Sequence, residues 1–121
     1  MRYQHISVPE SGDIIAINPD GSVEAGDHPI IPFVEGDGIG VDITPVMRSV
    51  VDAAVKRAYG GRRAIAWMQV YAGDAAAARY GETEYLPKET LDALHKYVVS
   101  IKGPLSTPVG GGIRSLNVAI R

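Results

Sequence analysis

Three polar residues near the end of the sequence have side chains suited to binding a carboxylate. Asn117 and Arg121 are four positions apart, so in a helix they project from one face. The Arg121 guanidinium can bind a carboxylate bidentately, and the Asn117 amide can donate beside it. Ser115 lies at the first turn of this predicted helix and points over its N-terminus. The opposite, apolar face consists of Leu116, Ala119 and Ile120. The residues alone leave a second interpretation open, in which Ser115 caps the helix and the other two side chains are solvated.

A pair of hydroxyls follows the third predicted strand. Ser106 and Thr107 lie in the loop from Lys102 to Pro108, and open α/β sheets bind ligands beyond the carboxyl ends of their strands. The two hydroxyls can hydrogen-bond an amide or a phosphate of a ligand there. A loop braced by prolines can equally use its hydroxyls to bond its own backbone. Chemistry alone does not choose between these roles.

A glycine-rich turn, Glu35 to Gly40, joins the first long strand to a helix. Its Gly-x-Gly-x-Gly spacing departs from the Gly-x-Gly-x-x-Gly of dinucleotide-binding loops, and Tyr71, Ala72 and Gly73 stand where an acidic residue is expected after the next strand. We therefore interpret the glycines as permitting a tight strand-to-helix connection. Asp37 is interpreted as stabilising that turn rather than acting in catalysis. The sequence contains no complete nucleophile–base pair and no His, Asp and Glu cluster with metal-ligand spacing.

The elements that position these residues alternate between strands and helices. Strands are predicted over 30–34, 64–71 and 98–101. The second is apolar on both faces, which indicates a sheet covered on both sides. Pro32 lacks a ladder donor and so suggests an edge strand or the start of a strand. The order of elements predicts an α/β protein with a parallel sheet.

The first predicted helix follows the glycine-rich turn. It begins either with Thr44 as N-cap and Pro45 as first residue, or nearer Gly40. Gly60 and Gly61 end it. The apolar residues that recur at helical spacing on its predicted inward face are Met47, Val50, Val51, Ala54 and Ala58.

Three further elements are predicted from local patterns. A short alanine-rich helix spans 75–79, and Pro87 opens another helix in which Leu91 and Leu94 face inward. A strand-like run and strong turn residues within 14–21 predict a peripheral β-hairpin.

Whole-chain composition excludes several classes of protein. The 121 residues include 12 Lys and Arg against 14 Asp and Glu, a net charge of −2, which offers no basic surface to nucleic acid or to an anionic membrane. The absence of cysteine excludes disulfides, thiolate metal sites and cysteine nucleophiles. The first residues lack the apolar segment of a signal peptide, and no apolar run approaches the ~18 residues of a membrane span. We expect a cytoplasmic protein.

The motifs together resemble those of the bacterial-type NADP-dependent isocitrate dehydrogenases, within the β-decarboxylating dehydrogenase family. The resemblance runs from about Pro29 to Arg121. Its landmarks are residues 29–40, Ile101 to Leu105 and Val109 to Arg121. The glycine-rich first landmark is common to the whole family, whereas the last block is specific for the isocitrate branch.

The resemblance implies a role for each polar group described above. Ser115, Asn117 and Arg121 are expected to bind isocitrate, and Ser115 is also the expected site of regulatory phosphorylation by a bifunctional kinase/phosphatase. Ser106, at a position where the family usually has threonine, is expected to contact NADP. Thr107 is a weaker assignment to the cofactor.

The resemblance also implies an isocitrate/isopropylmalate dehydrogenase-like fold, not a Rossmann fold, of which only the N-terminal part of the large domain is present. We divide the chain into an N-terminal extension, 1–28, and the beginning of that domain, 29–121. Since no residue stops the last predicted helix, we expect truncation within it. The catalytic lysine and tyrosine and the aspartates that hold Mg²⁺ or Mn²⁺ are expected downstream, in a homodimeric parent enzyme, and this chain alone is expected to be inactive. Two alternatives stay open: another β-decarboxylating dehydrogenase, acting on isopropylmalate or homoisocitrate, and a non-catalytic nucleotide- or anion-binding module.

Overall fold

Strands and helices alternate along the central part of the chain. The computed structural model describes residues 2–81, 83–106 and 115–121. These ranges contain β1 (Ala16–Ile17), β2 (Val23–Glu24), β3 (Ile30–Val34), α1 (Gly40–Tyr59), β4 (Ala66–Val70), α2 (Asp74–Tyr80), α3 (Lys88–Tyr97), β5 (Ile101–Lys102) and α4 (Leu116–Ile120). No helix within them is long and apolar enough to cross a membrane.

β3, β4 and β5 form a parallel sheet in the order β4-β3-β5. β3 pairs with β4 from Ile30 opposite Ala66 to Val34 opposite Val70, and with β5 only through its last two residues. α1 connects β3 to β4, and α2 with α3 connects β4 to β5, because consecutive parallel strands require a crossover connection. The predicted α/β class with a parallel sheet is confirmed.

Pro32 lies in the middle of the central strand, so the prediction of an edge strand or a strand start is wrong. Alternate residues of a strand bond to alternate neighbours. The Ile30 N–H donates to the Asp13 carbonyl at 2.9 Å, and the Val34 carbonyl accepts from the Gly103 N–H at 2.8 Å, both on the side away from β4. The Pro32 nitrogen faces that same side, where β5 pairs only with residues after it. The missing donor therefore removes no ladder bond.

One face of the sheet carries the main core. Met68 and Val70 of β4 are each 1% exposed on this face. α3 covers it with Ala93 and Tyr97, and α4 adds Leu116. Burial of these side chains is what attaches α3 and α4 to the sheet.

The opposite face packs on α1. The Arg48 guanidinium lies 4.5 Å from the Phe33 ring centroid and 5.7 Å from that of Trp67. The indole N–H of Trp67 donates to Asp52 at 2.8 Å. Both faces of the sheet are therefore covered, as the apolar pattern of β4 predicted.

α1 begins at Gly40, the earlier of the two predicted starts. Thr44 does not cap the helix, because its buried hydroxyl donates to the Glu35 carbonyl at 2.7 Å. Pro45 consequently lies inside the helix. Gly60, at φ 62°, ends the helix in the left-handed conformation, as predicted.

The apolar face predicted for α1 is only partly covered. Met47 and Val51 are half-buried, whereas Val50, Ala54 and Ala58 are exposed. The buried residues of this helix all lie in its first turns, next to the loop that follows β3. Helical spacing thus identified apolar positions without showing which of them the sheet covers.

Leu91 is 37% exposed, so its predicted inward orientation is wrong. Thr90 takes the inward position of α3 instead. Its hydroxyl is fully buried and donates to the Tyr71 carbonyl at 2.7 Å, which fixes the rotation of the helix. Leu94 packs against the core as predicted.

The third strand is shorter than predicted because a tight turn follows α3. Val98 has φ 71° and ψ −54°, and the Val99 N–H donates to the Tyr97 carbonyl at 2.7 Å. This is a γ-turn of the strained kind. It uses residues that were predicted as strand, so β5 contains only Ile101 and Lys102.

β1 and β2 form the antiparallel hairpin predicted within the first residues. The turn is closed by the Gly21 N–H, which donates to the Asn18 carbonyl at 2.9 Å. Both strands are exposed, which fits their peripheral position.

The N-terminal segment is attached to α3 by one carboxylate. Glu89 accepts the backbone N–H groups of Gln4 at 2.7 Å and of His5 at 3.1 Å, and the hydroxyl of Tyr80. Ile6, 6% exposed, then enters the core. Burial acts to raise the pKa of Glu89, but these hydrogen bonds outweigh it and lower that pKa. Burial and the bond to Glu89 raise the pKa of Tyr80.

These two shifts predict how the stability of the chain depends on pH. The Glu89 contribution is present above the unfolded pKa of about 4.3 and is lost as pH falls through the lower folded pKa. The Tyr80 contribution is present below an unfolded pKa of about 10 and is lost as pH rises through the higher folded value. In urea unfolding, the destabilisation caused by Glu89→Gln should therefore shrink as the pH is lowered from 7 to 3. The exposed Glu10→Gln serves as the control, and a Glu89→Gln penalty independent of pH would contradict the assignment.

Candidate functional site

The loops that follow the three parallel strands meet at Asp37. Its carboxylate accepts the Asp74 backbone N–H on Oδ1 at 2.9 Å and the Ser106 backbone N–H on Oδ2 at 3.0 Å. The Asp37 backbone N–H donates to the Pro104 carbonyl at 2.7 Å. Asp37 is only 7% exposed. One buried side chain thus joins the ends of β3, β4 and β5, the edge where parallel sheets bind ligands.

Glycines let these loops approach closely. A Cβ on Gly36, whose φ is +95°, would lie 2.6 Å from the Pro104 carbonyl oxygen, and one on Gly103 would collide with the Glu35 carbonyl. A Cβ on Gly73 would lie 2.5 Å from a carboxylate oxygen of Asp37. The glycine-rich turn therefore serves backbone packing between loops, in line with the interpretation favoured from its spacing.

A hydrogen bond holds the backbone of Ser106, whereas the residue is exposed to solvent. The N–H is bonded to Asp37, while the residue faces solvent at the carboxyl edge of the sheet. Its hydroxyl is therefore presented where a ligand can reach it. Thr107, the other predicted cofactor contact, falls within 107–114 and lies outside the described residues.

Asn117 attaches α4 to the loop after β5. Its Oδ1 accepts from the Lys102 ammonium at 2.7 Å, and its Nδ2 donates to the Leu105 carbonyl at 3.1 Å. Lys102 also donates to the Gly103 carbonyl at 2.9 Å. The side chain is not simply solvated, and among the described residues one Nδ2 hydrogen has no acceptor and can bind another group.

Ser115 and Arg121 flank α4 at its two ends. Ser115 occupies the N-cap position, but its hydroxyl makes no capping hydrogen bond to the helix. The capping alternative is therefore wrong. Arg121 is exposed rather than packed in the core. Within the described ranges, no hydrogen bond joins Ser115, Asn117 and Arg121 to one another, so their convergence on one ligand stays a prediction.

The structure adds two features that the sequence did not predict. Asp37 was placed correctly in a stabilising role, but its bonds to Asp74 and Ser106 span 37 and 69 positions, beyond the reach of local patterns. The contact of Lys102 with Asn117 spans 15 positions and depends on how α4 packs.

Among the described residues, no group of three or more His, Asp and Glu could hold a metal ion.

The family is decided by comparison across most of the chain. A sequence model described as isocitrate/isopropylmalate dehydrogenase matches residues 30–121, from β3 through the Asp37 loops to α4. The chain belongs to the isocitrate/isopropylmalate dehydrogenase family. The resemblance indicated by the motifs is confirmed, and the fold is that of this family.

Members of the isocitrate/isopropylmalate dehydrogenase family from several bacteria match this chain. The isocitrate dehydrogenase (NADP) of Pseudomonas aeruginosa (strain UCBPP-PA14) is 65% identical over 121 residues, 100% of this chain and 29% of that protein. The enzyme of the same name from Coxiella burnetii (strain RSA 493 / Nine Mile phase I) is 60% identical over 119 residues, 98% of this chain and 28% of its own length. The crystal structure of isocitrate dehydrogenase from Methylococcus capsulatus matches with a TM-score of 0.53 at 41% identity, covering 76% of this chain and 24% of that one. The chain thus spans less than a third of the length of these relatives.

The attachment of α4 can be tested by removing Asn117. Asn117→Ala leaves the Leu105 carbonyl and the Lys102 ammonium without this partner, so we expect a loss of about 1–2 kcal/mol in the free energy of unfolding. Val118→Ala, at a neighbouring position that is 46% exposed, should cost less than about 0.5 kcal/mol. Urea unfolding measures both variants, and equal losses would show that the Asn117 bonds do not hold α4.

Proposed function

We propose that this chain forms the N-terminal part of an enzyme that oxidises isocitrate with NADP and decarboxylates the product to 2-oxoglutarate. The observation that carries the proposal is the 65% identity, over all 121 residues, to a protein named isocitrate dehydrogenase (NADP). In this proposal residues 1–28 are an N-terminal extension and residues 29–121 begin the large domain. The chain alone is inactive.

The substrate contacts in this proposal come from α4 and its ends. Isocitrate carries three carboxylates, which need cationic and hydroxyl partners. Arg121 supplies a guanidinium. Ser115 supplies a hydroxyl that makes no capping hydrogen bond to the helix. Asn117 supplies the Nδ2 hydrogen that does not bond to Leu105. The Lys102 ammonium beside Asn117 adds positive charge next to this group.

The cofactor side lies on the loop after β5. The exposed hydroxyl of Ser106 hydrogen-bonds NADP, with Thr107 beside it as a second contact. Bound NADP supplies the acceptor for the hydride that leaves the substrate. The Mg²⁺ or Mn²⁺ that the reaction requires is assigned no ligand among the described residues, since they contain no suitable cluster.

The same proposal includes assembly and regulation. The parent enzyme is a cytoplasmic homodimer, and a kinase/phosphatase modifies Ser115. A phosphate on Ser115 carries about −1.5 to −2 charges, so it repels a substrate carboxylate from Asn117 and Arg121.

A chimera tests the function directly. It carries residues 1–121 in place of the matching 29% of the Pseudomonas aeruginosa protein. We expect isocitrate-dependent reduction of NADP and no turnover of isopropylmalate. Turnover of isopropylmalate without isocitrate, or a soluble dimer that turns over neither, would contradict the proposal.

Ser115→Asp in the chimera tests the substrate contact. A negative charge at this position should lower kcat/KM for isocitrate on the order of 100-fold, because juxtaposed like charges cost several kcal/mol. Ser100→Asp, at an exposed position before β5, is the matched control and should leave kcat/KM within about 2-fold. Equal effects of the two substitutions would remove Ser115 from the substrate site.

A further inference from the structure

We propose that Asp37 positions Ser106, in the loop after β5, by fixing the backbone on both sides of Leu105. The proposal rests on the proposed function, in which Ser106 contacts NADP. Asp37 itself touches neither substrate nor cofactor in this account. It acts through the Ser106 backbone and is a positioning residue.

Asp37 holds the loop after β5 through two hydrogen bonds. The Asp37 N–H donates to the Pro104 carbonyl at 2.7 Å, and Oδ2 of the same residue accepts the Ser106 N–H at 3.0 Å. The segment between these bonds is anchored by the buried Leu105, which is 9% exposed. With its backbone fixed in this way, Ser106 is exposed at the carboxyl edge of the sheet.

A carboxylate is needed because two loops bond to different oxygens. Oδ1 accepts the Asp74 N–H from the loop after β4, and Oδ2 accepts the Ser106 N–H from the loop after β5. An asparagine has the same shape but only one acceptor oxygen, and its NH₂ group would face a backbone N–H donor. At 7% exposure, solvent does not replace the lost bond. Asp37→Asn therefore breaks the bridge without changing the size of the side chain.

The isocitrate side is held mainly by contacts that do not involve Asp37. α4 is attached through Asn117 to Lys102 and Leu105 and through the burial of Leu116. Apart from the Leu105 carbonyl, which lies between the two backbone groups bonded to Asp37, these contacts do not involve Asp37. Loosening Ser106 should therefore affect NADP much more than isocitrate, and this split distinguishes positioning from a general loss of structure.

The test is made in the chimera, with KM for NADP, KM for isocitrate and kcat measured for each variant. We expect Asp37→Asn to raise KM for NADP roughly 10-fold, the effect of one weakened hydrogen bond, with KM for isocitrate within about 2-fold. Thr90→Val is the matched control. It removes another buried hydrogen bond, to Tyr71, in which neither Asp37 nor Ser106 takes part, and it should lower the melting temperature without changing KM for NADP.

A double-mutant cycle separates this proposal from the proposed function. Ser106→Ala should itself raise KM for NADP, and Asp37→Asn should add little in that background, because both act on the same contact. If Ser106→Ala leaves KM for NADP unchanged, the cofactor assignment fails. If Ser106→Ala raises it but Asp37→Asn does not, or raises it equally in both backgrounds, the positioning role of Asp37 is overturned.

Asp37→Glu is measured in parallel in case the Asn variant does not fold. It keeps the charge and both acceptor oxygens but moves them by one methylene. A folded Glu variant should also raise KM for NADP selectively, and an unchanged KM would overturn the proposal.

Discussion

The carboxylate of Asp37 supplies the constraint on which the candidate site depends. A parallel sheet brings the ends of its strands to one edge, but the loops that leave those ends are far apart in sequence and each is free to adopt other conformations. Ordering each residue of such a loop costs about 1–2 kcal/mol of conformational entropy. Asp37 offsets part of this cost for two loops at once, through Oδ1 to Asp74 and Oδ2 to Ser106. Because the side chain is buried, solvent does not replace either bond when it is lost.

The elements downstream are too small to order themselves. β5 has two residues and α4 has five, and an isolated helix of that length is not stable in water. The position of α4 depends on Leu116 in the core and on Asn117, which bonds to the loop after β5. That loop is in turn held by Asp37. The polar residues of α4 are thus held mainly by the core and by Lys102, and the loop that Asp37 holds adds one further contact.

The sequence predicted the parts of this arrangement that are set by local patterns. Continuous apolar runs identified β3 and β4, Gly60 marked the end of α1, and the turn residues near Asn18 identified the hairpin. Pro32 was misplaced because a missing donor matters only if a neighbouring strand pairs there, and register is not a local property. Leu91 was misplaced because the buried bond from Thr90 to Tyr71 decides the rotation of α3.

The ligand of the site stays a prediction, and the contacts that hold the site residues in place were not predicted. The residue types and helical spacing at 115, 117 and 121 suggested anion binding but left a second interpretation open. The partners of Asp37 and Asn117 follow from how loops and helices pack, and no pattern within a few residues reveals them. This is why Asp37 could be assigned a stabilising role from its turn without any indication that it reaches Ser106.

Native-state hydrogen exchange of the Ser106 backbone amide tests the central claim most directly. Among the described residues the acceptor of this amide is Asp37, so that bond should slow its exchange. The account predicts exchange at least about 100-fold slower than in an unstructured peptide, and a parallel loss of protection at Ser106 and Asp74 in the Asp37→Asn variant. A Ser106 amide that exchanges at the rate of the unstructured peptide would show that Asp37 does not hold the loop.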